Sequence, residues 1–522
     1  MSYRVVIPTA GTGSRLGKLT RYINKSLVSI ALRPALSHLL DLFPEDCEFV
    51  VALGHKSQLV REFLELAYPK HRFWFAEVNP FEGGGSGLGF SLLCCEQYLQ
   101  EPFVFVSCDT LVREAIPPPD QNWMGYAQVQ DLTPYRTVQV EKQQVRGIFE
   151  KGEQRDHLEA YIGLAGVTDY GCFWEAMREG SDVAISQGEA YGMLAVLQTA
   201  PIAAHRFTWF DTGNPESLLR TREVYRKAGE PNILEKANEA IWFVGSQVIK
   251  FSDDQKFIAN RVKRVQELAG YVPQLVAAGN NMYSYHKVEG KIMSEAVTLP
   301  LFERLLVHCQ KFWQLHELGE SELQQFQQTC LRFYREKTLE RVALFYRNFD
   351  KADGTEPING EPMPMLGNLL DTVDWNWLAE GLPGRFHGDF HFENILWSGD
   401  TETFTFLDWR QDFGGDLKTG DIYYDLAKLM HGLIVCHELI ANDQYTVFWD
   451  DRAISYDFHR KQVLVECEQH LNQWCIKNNY DVKKVRVLTA IIYLNIAALH
   501  HYPYSLMLYV LGKRMLKQEI EV

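Results

Sequence analysis

Several features that mark particular classes of protein are missing from this 522-residue sequence. No stretch reaches the roughly 18 consecutive apolar residues of a membrane-spanning helix, and the first residues lack the charged and apolar regions of a secretory signal. The ten cysteines contain no C-x-x-C pair and no regular spacing, which argues against a disulfide framework. These absences predict a cytoplasmic protein with reduced thiols.

Positive charge is also scarce. Lysine and arginine total 52 against 67 aspartates and glutamates, giving a formal net charge of −15. Nucleic acids and anionic membranes repel an acidic surface, so neither is expected as a general partner. What remains is an ordinary globular composition, 46% hydrophobic and 23% charged, in a chain too long for one typical domain.

Two patterns of secondary structure follow one another along the chain. First, buried-strand candidates such as YRVVIP (3–8) alternate with helical stretches, which is typical of an α/β domain with a mostly parallel sheet. Later, short strands precede long helical stretches, and the Gly- and Pro-containing segment 228–239 is the predicted seam. We expect an N-terminal domain over 1–230 and a C-terminal domain over 240–522, with a small lobe at about 240–295 and a helical lobe at about 296–522.

A glycine-rich segment directly follows the first predicted strand. It contains Gly11, Gly13, Ser14 and Arg15, with Lys25 nearby. Glycines there let the backbone approach a phosphate, while the arginine and the lysine supply positive charge. No G-K-[ST] follows and the full G-x-G-x-x-G is missing, so neither a P-loop nor a dinucleotide site is predicted. Taken alone, such a loop is more often a structural turn.

Two aspartates supply what the loop alone lacks. Asp109 ends the strand candidate FVFVSCD, and Asp211 lies in a turn just before a helix start, in WFDTGNPESL. Mg²⁺ prefers one or two carboxylates together with substrate phosphates, and α/β sheets present ligands at strand ends. Each aspartate alone is equally well explained as a turn or N-cap residue. Together with the glycine loop they predict a magnesium and phosphate site.

As a set, these motifs resemble the sugar-1-phosphate nucleotidyltransferase family over about residues 3–225. The family's E-K-P element corresponds to FEKGE and its W-x-D-x-G-T-P-E-x-L element to WFDTGNPESL. The resemblance implies a Rossmann-like domain with a mixed, mostly parallel sheet. It also implies nucleotidyl transfer from an NTP (CTP, UTP, GTP or dTTP) to a phosphomonoester.

The resemblance also implies site roles, residue by residue. Those implied are NTP binding by Gly11, Gly13, Ser14, Arg15 and Lys25, base contact by Gly87, second-substrate contact by Glu150, Lys151 and Gly163, and Mg²⁺ binding by Asp109 and Asp211. The sequence departs from the family at Asn24, where a proline usually precedes the loop lysine, and NKSLV resembles the phosphocholine cytidylyltransferase branch. A phosphomonoester is already a dianionic nucleophile near neutral pH, so no general base is required.

The stretch FHGDFHFENILW (386–397) carries the chemistry of the C-terminal half. His387 and His391 are spaced to share one face of a helix, but Gly388 disfavours a helix and no H-E-x-x-H glutamate is present, which argues against zinc. A kinase-like loop explains more, because an alcohol acceptor arrives protonated and needs a positioned carboxylate, here Asp389.

The spacing H-G-D-x-x-x-x-N, followed by FLDW, resembles the aminoglycoside phosphotransferase and choline kinase family over about residues 240–440. The resemblance implies ATP as phosphoryl donor and a bilobal, protein-kinase-like α+β fold. It also implies Mg²⁺ binding by Asn394 and Asp408, and nucleotide binding by Lys250 with Glu267 as its helix partner.

The acceptor side of this second site is less defined by sequence. Arg410 is a candidate for holding a hydroxyl or carboxylate, although a surface salt bridge explains it equally well. Asp421 and Asp425 in GDIYYDLAKL are expected to be structural hydrogen-bond acceptors rather than catalysts. The polar segment 409–421 differs from the aromatic and acidic cage of choline kinases.

A kinase makes a phosphomonoester and a nucleotidyltransferase consumes one. The sequence therefore predicts a bifunctional enzyme that phosphorylates a small sugar or alcohol and then forms an NDP-sugar or NDP-alcohol, for capsule, lipopolysaccharide or other surface-glycan synthesis. The alternatives are a choline kinase with a phosphocholine cytidylyltransferase, which makes CDP-choline, and a non-catalytic nucleotide-binding regulator. The protein is also a possible homo-oligomer under each of these hypotheses.

Overall fold

The computed structural model describes residues 3–153, 155–226, 236–450 and 452–521. The chain divides into two compact units, Met1–Ile258 with Leu275–Lys287, and Ala259–Gln274 with Val288–Val522. Most of the predicted seam at 228–239 lies outside the described residues, so the boundary between 230 and 240 stays a prediction.

The first unit is an α/β structure, as the alternating pattern predicts. Its strands are β1 (Arg4–Pro8), β2 (Ser29–Ile30), β3 (Arg33–Pro34), β4 (Glu48–Leu53), β5 (Arg72–Glu77), β6 (Phe103–Val106), β7 (Thr110–Val112), β8 (Trp123–Ala127), β9 (Thr137–Glu141), β10 (Gln144–Phe149), β11 (Leu158–Val167), β12 (Ala203–Arg206), β13 (Trp209–Asp211), β14 (Glu239–Val244), β15 (Gln247–Ser252), β16 (Leu275–Ala278) and β17 (Met282–His286). Its helices are α1 (Ala35–Leu40), α2 (Ser57–Ala67), α3 (Leu88–Cys95), α4 (Tyr170–Glu179), α5 (Ser181–Gln187), α6 (Glu189–Thr199) and α7 (Pro215–Tyr225).

A nine-stranded mixed sheet in the order β5-β4-β1-β6-β11-β8-β12-β10-β9 forms the core of this unit. Strands β5, β4, β1 and β6 are parallel, whereas β11 pairs antiparallel with β6, β8 and β9. Both faces are covered. In β1, Val5 and Ile7 enter one hydrophobic cluster and Val6 enters the cluster on the other face, as the two-residue period of a strand requires.

A second, four-stranded sheet in the order β14-β15-β17-β16 belongs to the same unit. Trp242 on β14 is fully buried, lies edge-to-face with Phe63 of α2 at 5.4 Å between ring centroids, and donates to Ser29 Oγ at 2.9 Å. The backbone N–H of Asn281 donates to Glu62 Oε1 on α2 at 2.8 Å. The small β-rich lobe predicted for the second half therefore shares a hydrophobic core with the N-terminal α/β structure.

The second unit is mostly helical and also holds most of α8 (Gln255–Glu267). Its other helices are α9 (Met293–Ala296), α10 (Leu299–Phe312), α11 (Glu320–Leu331), α12 (Lys337–Phe349), α13 (Leu366–Thr372), α14 (Trp375–Ala379), α15 (Ile422–Ile434), α16 (His437–Ala441), α17 (Gln462–Lys477), α18 (Val482–Ala497) and α19 (Tyr504–Glu521). Its strands are β18 (Lys291–Ile292), β19 (Pro383–Gly384), β20 (Ile395–Ser398), β21 (Thr403–Phe406), β22 (Gly420–Asp421), β23 (Tyr445–Trp449) and β24 (Ile454–Phe458).

Helix α15 is the central element of this unit, since every residue from Ile422 to Ile434 is buried. It packs against α17 and α18, which are apolar on the faces they turn toward it. Within the described residues no helix is long and apolar enough to cross a membrane. All ten cysteines are described and carry free thiols.

Candidate active sites

The glycine-rich loop after β1 is closed onto the side chain of Lys25. Gly13 has a left-handed backbone (φ 66°), and a Cβ there would lie 2.8 Å from Cβ of Lys25. Only glycine fits both the backbone angle and the close approach. Gly11, Ser14 and Arg15 lie on the exposed side of the same loop.

Asn24 fixes the position of that lysine. Its side-chain amide is fully buried and donates to the carbonyl oxygens of Thr9, at 2.9 Å, and His55, at 2.7 Å, which follow β1 and β4. Its carbonyl oxygen accepts from the backbone N–H and the hydroxyl of Ser26, both at 2.9 Å. The asparagine that replaces the family's proline therefore ties the loop to two strand ends by two hydrogen bonds, and two more, from Ser26, hold the turn itself.

Replacing Asn24 by alanine is expected to cost about 3 kcal/mol of unfolding free energy, because two buried carbonyl oxygens lose their donor. We also expect a higher KM for the NTP, since Lys25 is no longer held. Urea unfolding and pyrophosphate release measure the two effects. Ser26→Ala removes one of the four bonds and is the graded comparison, with an expected loss of about 1 kcal/mol. Equal stability of both variants and wild type would contradict this role.

Asp109 is paired with Lys25 just beyond the end of β6. Lys25 Nζ lies 3.2 Å from Asp109 Oδ2, and the Ser107 hydroxyl donates to Oδ1 at 2.6 Å. Burial by itself raises the pKa of the Asp109 carboxyl, but the lysine charge and the hydroxyl outweigh it and bring the pKa to about 2. In the same pair, the aspartate outweighs burial and raises the pKa of Lys25. Both groups are charged at neutral pH.

Asp211 approaches the same point from β13. The two aspartates are brought together because β13 pairs antiparallel with β7, which begins one residue after Asp109. A Cβ on Gly213 would lie 3.0 Å from Asp109 Oδ2, 3.1 Å from Asp211 Oδ1 and 3.4 Å from Arg15 Nη2, so all three side chains converge on this glycine. Burial, and then the Asp109 charge, raise the pKa of Asp211 although Gly213 N–H donates to it at 2.8 Å. Two carboxylates that repel each other form a donor set suited to a divalent cation.

The predicted second-substrate residues lie along β10 and β11. Gly163 lies at a bulge in β11. Its carbonyl oxygen accepts a hydrogen bond at 2.8 Å from the N–H of Ser107, which is two residues before Asp109. Glu150 pairs with Arg136 at 3.2 Å, and Lys151 lies in the exposed turn after β10.

Gly87, the predicted base contact, lies directly before α3, where a Cβ would lie only 2.5 Å from the carbonyl oxygen of Ile185. A close approach of α3 to α5 thus explains this glycine without reference to a nucleotide base.

Sequence reasoning missed a buried carboxylate beside this site. Glu189, the first residue of α6, is 3% exposed, and its Oε2 has no hydrogen-bond partner among the described residues. Burial raises the pKa of its carboxyl, and the nearby charge of Arg136 acts in the opposite direction. The sequence offers no signal for it, because an acidic residue in the first turn of a helix ordinarily faces solvent.

In the second unit, Asp389 is surrounded by three partners. Its Oδ1 lies 2.7 Å from Lys428 Nζ on α15, and its Oδ2 lies 3.6 Å from His391 Nε2 and 3.3 Å from Asn394 Nδ2. Burial raises the pKa of Asp389, but Lys428 and then His391 outweigh it and hold the pKa well below its usual range. The carboxylate is therefore ionised, so it can accept a hydrogen bond from the hydroxyl group of an alcohol. Lys428 went unnoticed in the sequence because it lies inside an apolar helix pattern.

Asn394 and Asp408 are neighbours although they lie far apart in sequence. Strands β20 and β21 form a hairpin, and the backbone N–H of Leu407 donates to the carbonyl oxygen of Asn394 at 2.7 Å. Asp408 has a left-handed backbone (φ 57°), which is rare for a residue with a side chain and is concentrated at functional sites. The hairpin thus brings two residues close together whose side-chain oxygens are of the kind that suits Mg²⁺.

The scaffold under this loop is built from buried polar groups. Asp425 accepts from the backbone N–H groups of His387, at 2.6 Å, and Gly388, at 2.7 Å. Asp421 caps α15 and accepts from the Tyr334 hydroxyl at 2.6 Å. The expectation that both aspartates are structural acceptors agrees with these contacts. Gly388 is required here, since its φ is 89° and a Cβ would lie 2.6 Å from Cβ of Arg410.

Helix α8 presents arginines, rather than a glutamate, to this loop. Arg261 forms an ion pair with Asp408, whereas Glu267 lies 3.6 Å from Lys418. Arg264 is 1% exposed, stacks on Phe386 at 3.8 Å from the ring centroid, and donates to the carbonyl oxygens of Leu417, Phe386, Arg410 and His387. Lys250 lies buried on β15. The roles given to Lys250 and Glu267 stay predictions.

Replacing Arg264 by methionine is expected to cost about 3 kcal/mol or more, because several buried carbonyl oxygens lose one shared donor. Burial lowers the pKa of this guanidinium only to about 9, so it is charged and fully bonded at neutral pH. The midpoint of urea unfolding measures the loss. Lys263→Met, at an exposed position on the same helix, is the control and should leave the midpoint unchanged. A midpoint that moves equally in both variants would contradict the assignment.

Comparison with known proteins covers the two parts of the chain separately. Residues 253–447 match the family model described as "Phosphotransferase enzyme family". Among the curated proteins, none matches this sequence. Solved structures similar to part of the chain include a UDP-glucose pyrophosphorylase complexed with UDP-glucose, which is 19% identical, covers 43% of this chain and 98% of its own, and has a TM-score of 0.37.

Two further solved structures align over a similar share of the chain. One is a putative glucose-1-phosphate thymidylyltransferase from Bacillus anthracis, 18% identical, covering 45% of this chain and 98% of its own with a TM-score of 0.38. The other is an inositol-1-phosphate CTP transferase from T. maritima, 16% identical, covering 44% of this chain and 98% of its own with a TM-score of 0.35. The resemblance of the FHGDFHFENILW loop to aminoglycoside phosphotransferases is confirmed by the family match, which spans residues 253–447 and includes the loop.

Proposed function

We propose that this chain is a bifunctional transferase, which phosphorylates a small sugar or alcohol with ATP and joins the resulting phosphomonoester to a nucleotide from an NTP. The observation that carries the proposal is that each unit gathers its own set of charged groups. Arg15, Asp109 and Asp211 converge on Gly213 in the first unit, and Asp389 lies beside Asn394 and Lys428 in the second.

In the first unit, the chemistry is attack of a phosphomonoester oxygen on the α-phosphorus of the NTP. An oxygen–phosphorus bond forms, the bond to the β-phosphate oxygen breaks, and pyrophosphate leaves. Arg15 and Lys25 reduce the repulsion between the two anions and stabilise the charge that develops on the departing pyrophosphate. The backbone of Gly11 and Gly13 allows the phosphates to approach closely. Lys151 and Glu150 would contact the phosphate and the polar body of the second substrate.

In the second unit, the chemistry is attack of an alcohol on the γ-phosphorus of ATP. The alcohol oxygen forms a bond to phosphorus, ADP leaves, and Asp389 accepts the hydroxyl proton. Lys428 holds Asp389 ionised until the proton is transferred.

His387 is neutral, because burial lowers its pKa to about 3. Its Nδ1 accepts a hydrogen bond from Asp389 N–H, and its Nε2 donates one to the Leu407 carbonyl oxygen. It shapes the loop and carries no proton in the reaction.

A divalent cation fits both donor sets. Mg²⁺ takes oxygen donors, which would be supplied by Asp109 and Asp211 in the first unit. In the second unit they would be supplied by Asn394 and Asp408. Magnesium bound there would neutralise phosphate charge and orient the triphosphate.

The two reactions make a sequence in which the first product is the second substrate. Covalent fusion raises the local concentration of one activity near the other. The product would be an NDP-sugar or NDP-alcohol, the kind of activated unit used in surface-glycan synthesis. A choline kinase with a cytidylyltransferase is the second candidate, favoured by NKSLV after the loop.

The experiment is a panel of acceptors with separate readouts for the two steps. Purified full-length protein with Mg²⁺ receives ATP, each NTP in turn, and free sugars, polyols or choline. Release of ADP reports the kinase, and release of pyrophosphate reports nucleotidyl transfer. The proposal expects ADP with one class of acceptor, and pyrophosphate only after ADP or when the matching phosphomonoester is supplied. Nucleotide binding without either product would favour the non-catalytic regulator instead.

A further inference from the structure

Four cationic side chains of the second unit lie near one another and near Asp389, since the charges of Arg341, Arg410, Lys428 and Asp389 all act on Lys337. Lys337 and Arg341 lie one turn apart on α12, Lys428 lies on α15, and Arg410 follows β21. Lys337 Nζ lies 4.1 Å from the ring centroid of Phe333, and Arg410 Cζ lies 4.9 Å from the same centroid. Two cations on one ring are therefore close neighbours.

Only Lys428 has a carboxylate partner in this group, namely Asp389. For Lys337, Arg341 and Arg410, no ion pair with a carboxylate exists among the described residues; Arg410 Nε donates to the backbone oxygen of Asp412 at 3.0 Å. Burial, with the charges of Arg410, Lys428 and Arg341, lowers the pKa of Lys337 to about 7, although the charge of Asp389 acts in the opposite direction. Cations that outnumber the nearby carboxylates are unfavourable unless an anion binds among them.

The excess of positive charge here contrasts with the rest of the chain, whose formal net charge is −15. A quaternary ammonium substrate would be repelled by it, since such ligands are held by aromatic and acidic groups. With a purely neutral sugar, the carboxylate whose charge acts on Lys337 is that of Asp389, which already pairs with Lys428. An acceptor with its own negative charge fits the group.

We propose that the phosphoryl acceptor of the second unit is a sugar or polyol that carries a carboxylate or phosphate, bound by Lys337, Arg341 and Arg410. This inference rests on the proposed kinase function and names its substrate class. The anionic group of the acceptor occupies the cationic group of side chains, while one hydroxyl faces Asp389. That hydroxyl oxygen forms the new bond to the γ-phosphorus, its proton passes to Asp389, and ADP leaves.

Matched acceptors test the proposal. Glucose is compared with glucuronate and glucose 6-phosphate, and glycerol with glycerate and glycerol 3-phosphate, with choline as the cationic member. ADP release by the full-length protein is followed for each, and binding of each acceptor to Asp389→Asn is measured by titration calorimetry in the presence of ADP. At least one anionic member is expected to bind and to have a kcat/KM about tenfold or more above its neutral counterpart, the size of one favourable charge contact.

Charge-removing variants on α12 identify the residues. Lys337→Gln and Arg341→Gln are expected to raise KM for the anionic acceptor about tenfold or more while leaving KM for ATP unchanged. Arg347→Gln, at an exposed position on the same helix, removes the same charge and is expected to change neither constant. A higher KM for ATP in the first two variants would instead assign the cations to the nucleotide and overturn the proposal.

The remaining outcomes are also decisive. Neutral acceptors that react as well as anionic ones, or anionic acceptors that all fail to bind, overturn the proposed substrate class. An anionic acceptor that binds to wild type and not to Lys337→Gln, yet yields no ADP, supports the anion site while the proposed kinase function fails. Carboxylate and phosphate members of the panel distinguish the two kinds of anion.

Discussion

Replacing Asp389 by asparagine is expected to lower ADP release by about 10²- to 10⁴-fold, the usual contribution of a positioned base. The amide keeps the size of the carboxylate, so its contact with Asn394 persists, but it does not accept the proton of the alcohol. Lys428 also loses its counter-charge at 2.7 Å. Initial rates of ADP release with the reactive acceptor measure the effect.

Two observations separate catalysis from folding in this variant. Pyrophosphate release from a supplied phosphomonoester should be unchanged, because the first unit is assigned that step. Asp400→Asn, in the exposed turn between β20 and β21, removes the same charge and should leave ADP release unchanged. If Asp389→Asn released ADP at the wild-type rate, the carboxylate would have no catalytic role and the kinase assignment would need another base.

For the first unit, we expect Asp109→Asn to lower pyrophosphate release by about 10²- to 10³-fold, comparable to losing one strong electrostatic contact in a transition state. Asp109 has two functions in the structure. It neutralises Lys25 at 3.2 Å, and it is one of the two carboxylates that meet at Gly213. Removing its charge weakens metal binding and leaves the lysine without its partner.

The readouts of this variant are chosen to be specific. ADP release by the second unit should be unchanged, and added Mg²⁺ at high concentration should recover part of the pyrophosphate release if the defect is weakened metal binding. Asp120→Asn, at an exposed position between β7 and β8, is the charge-matched control. Normal pyrophosphate release by Asp109→Asn would remove this residue from the metal site and leave the nucleotidyl-transfer assignment without its main support.

Local sequence patterns indicated many of the elements and the two loops to which we assign catalysis. The apolar run YRVVIP forms a buried strand, and β1 spans Arg4–Pro8 within the predicted segment. Asn214 caps α7 through its side chain, as the start signal in GNPESL indicates. A motif can be recognised from the sequence when its residues lie close together in it. Asp389 and Asn394, which share one short loop, are an example.

Contacts between distant segments were decided only by the tertiary structure. Lys428 lies inside an apolar helix and meets Asp389 only because α15 packs under the loop. Asp109 and Asp211 meet because β7 pairs with β13, and the sheet that holds Lys250 shares its core with α2. A polar residue in a sequence is ordinarily assigned to solvent, and burial beside a charge is decided by which elements pack together.

Features that depend on neighbouring residues therefore differ from features that depend on the packing of distant segments. The sequence by itself determined the phosphotransferase loop and the glycine-rich loop, since each depends on residues within one turn or strand end. Only the tertiary structure decided the two bonds from Asn24 to the strand ends, the ion pair of Arg261 on α8 with Asp408, and the two cations that meet at Phe333. These depend on the long-range packing of helices and strands, which local patterns of hydrophobicity do not specify.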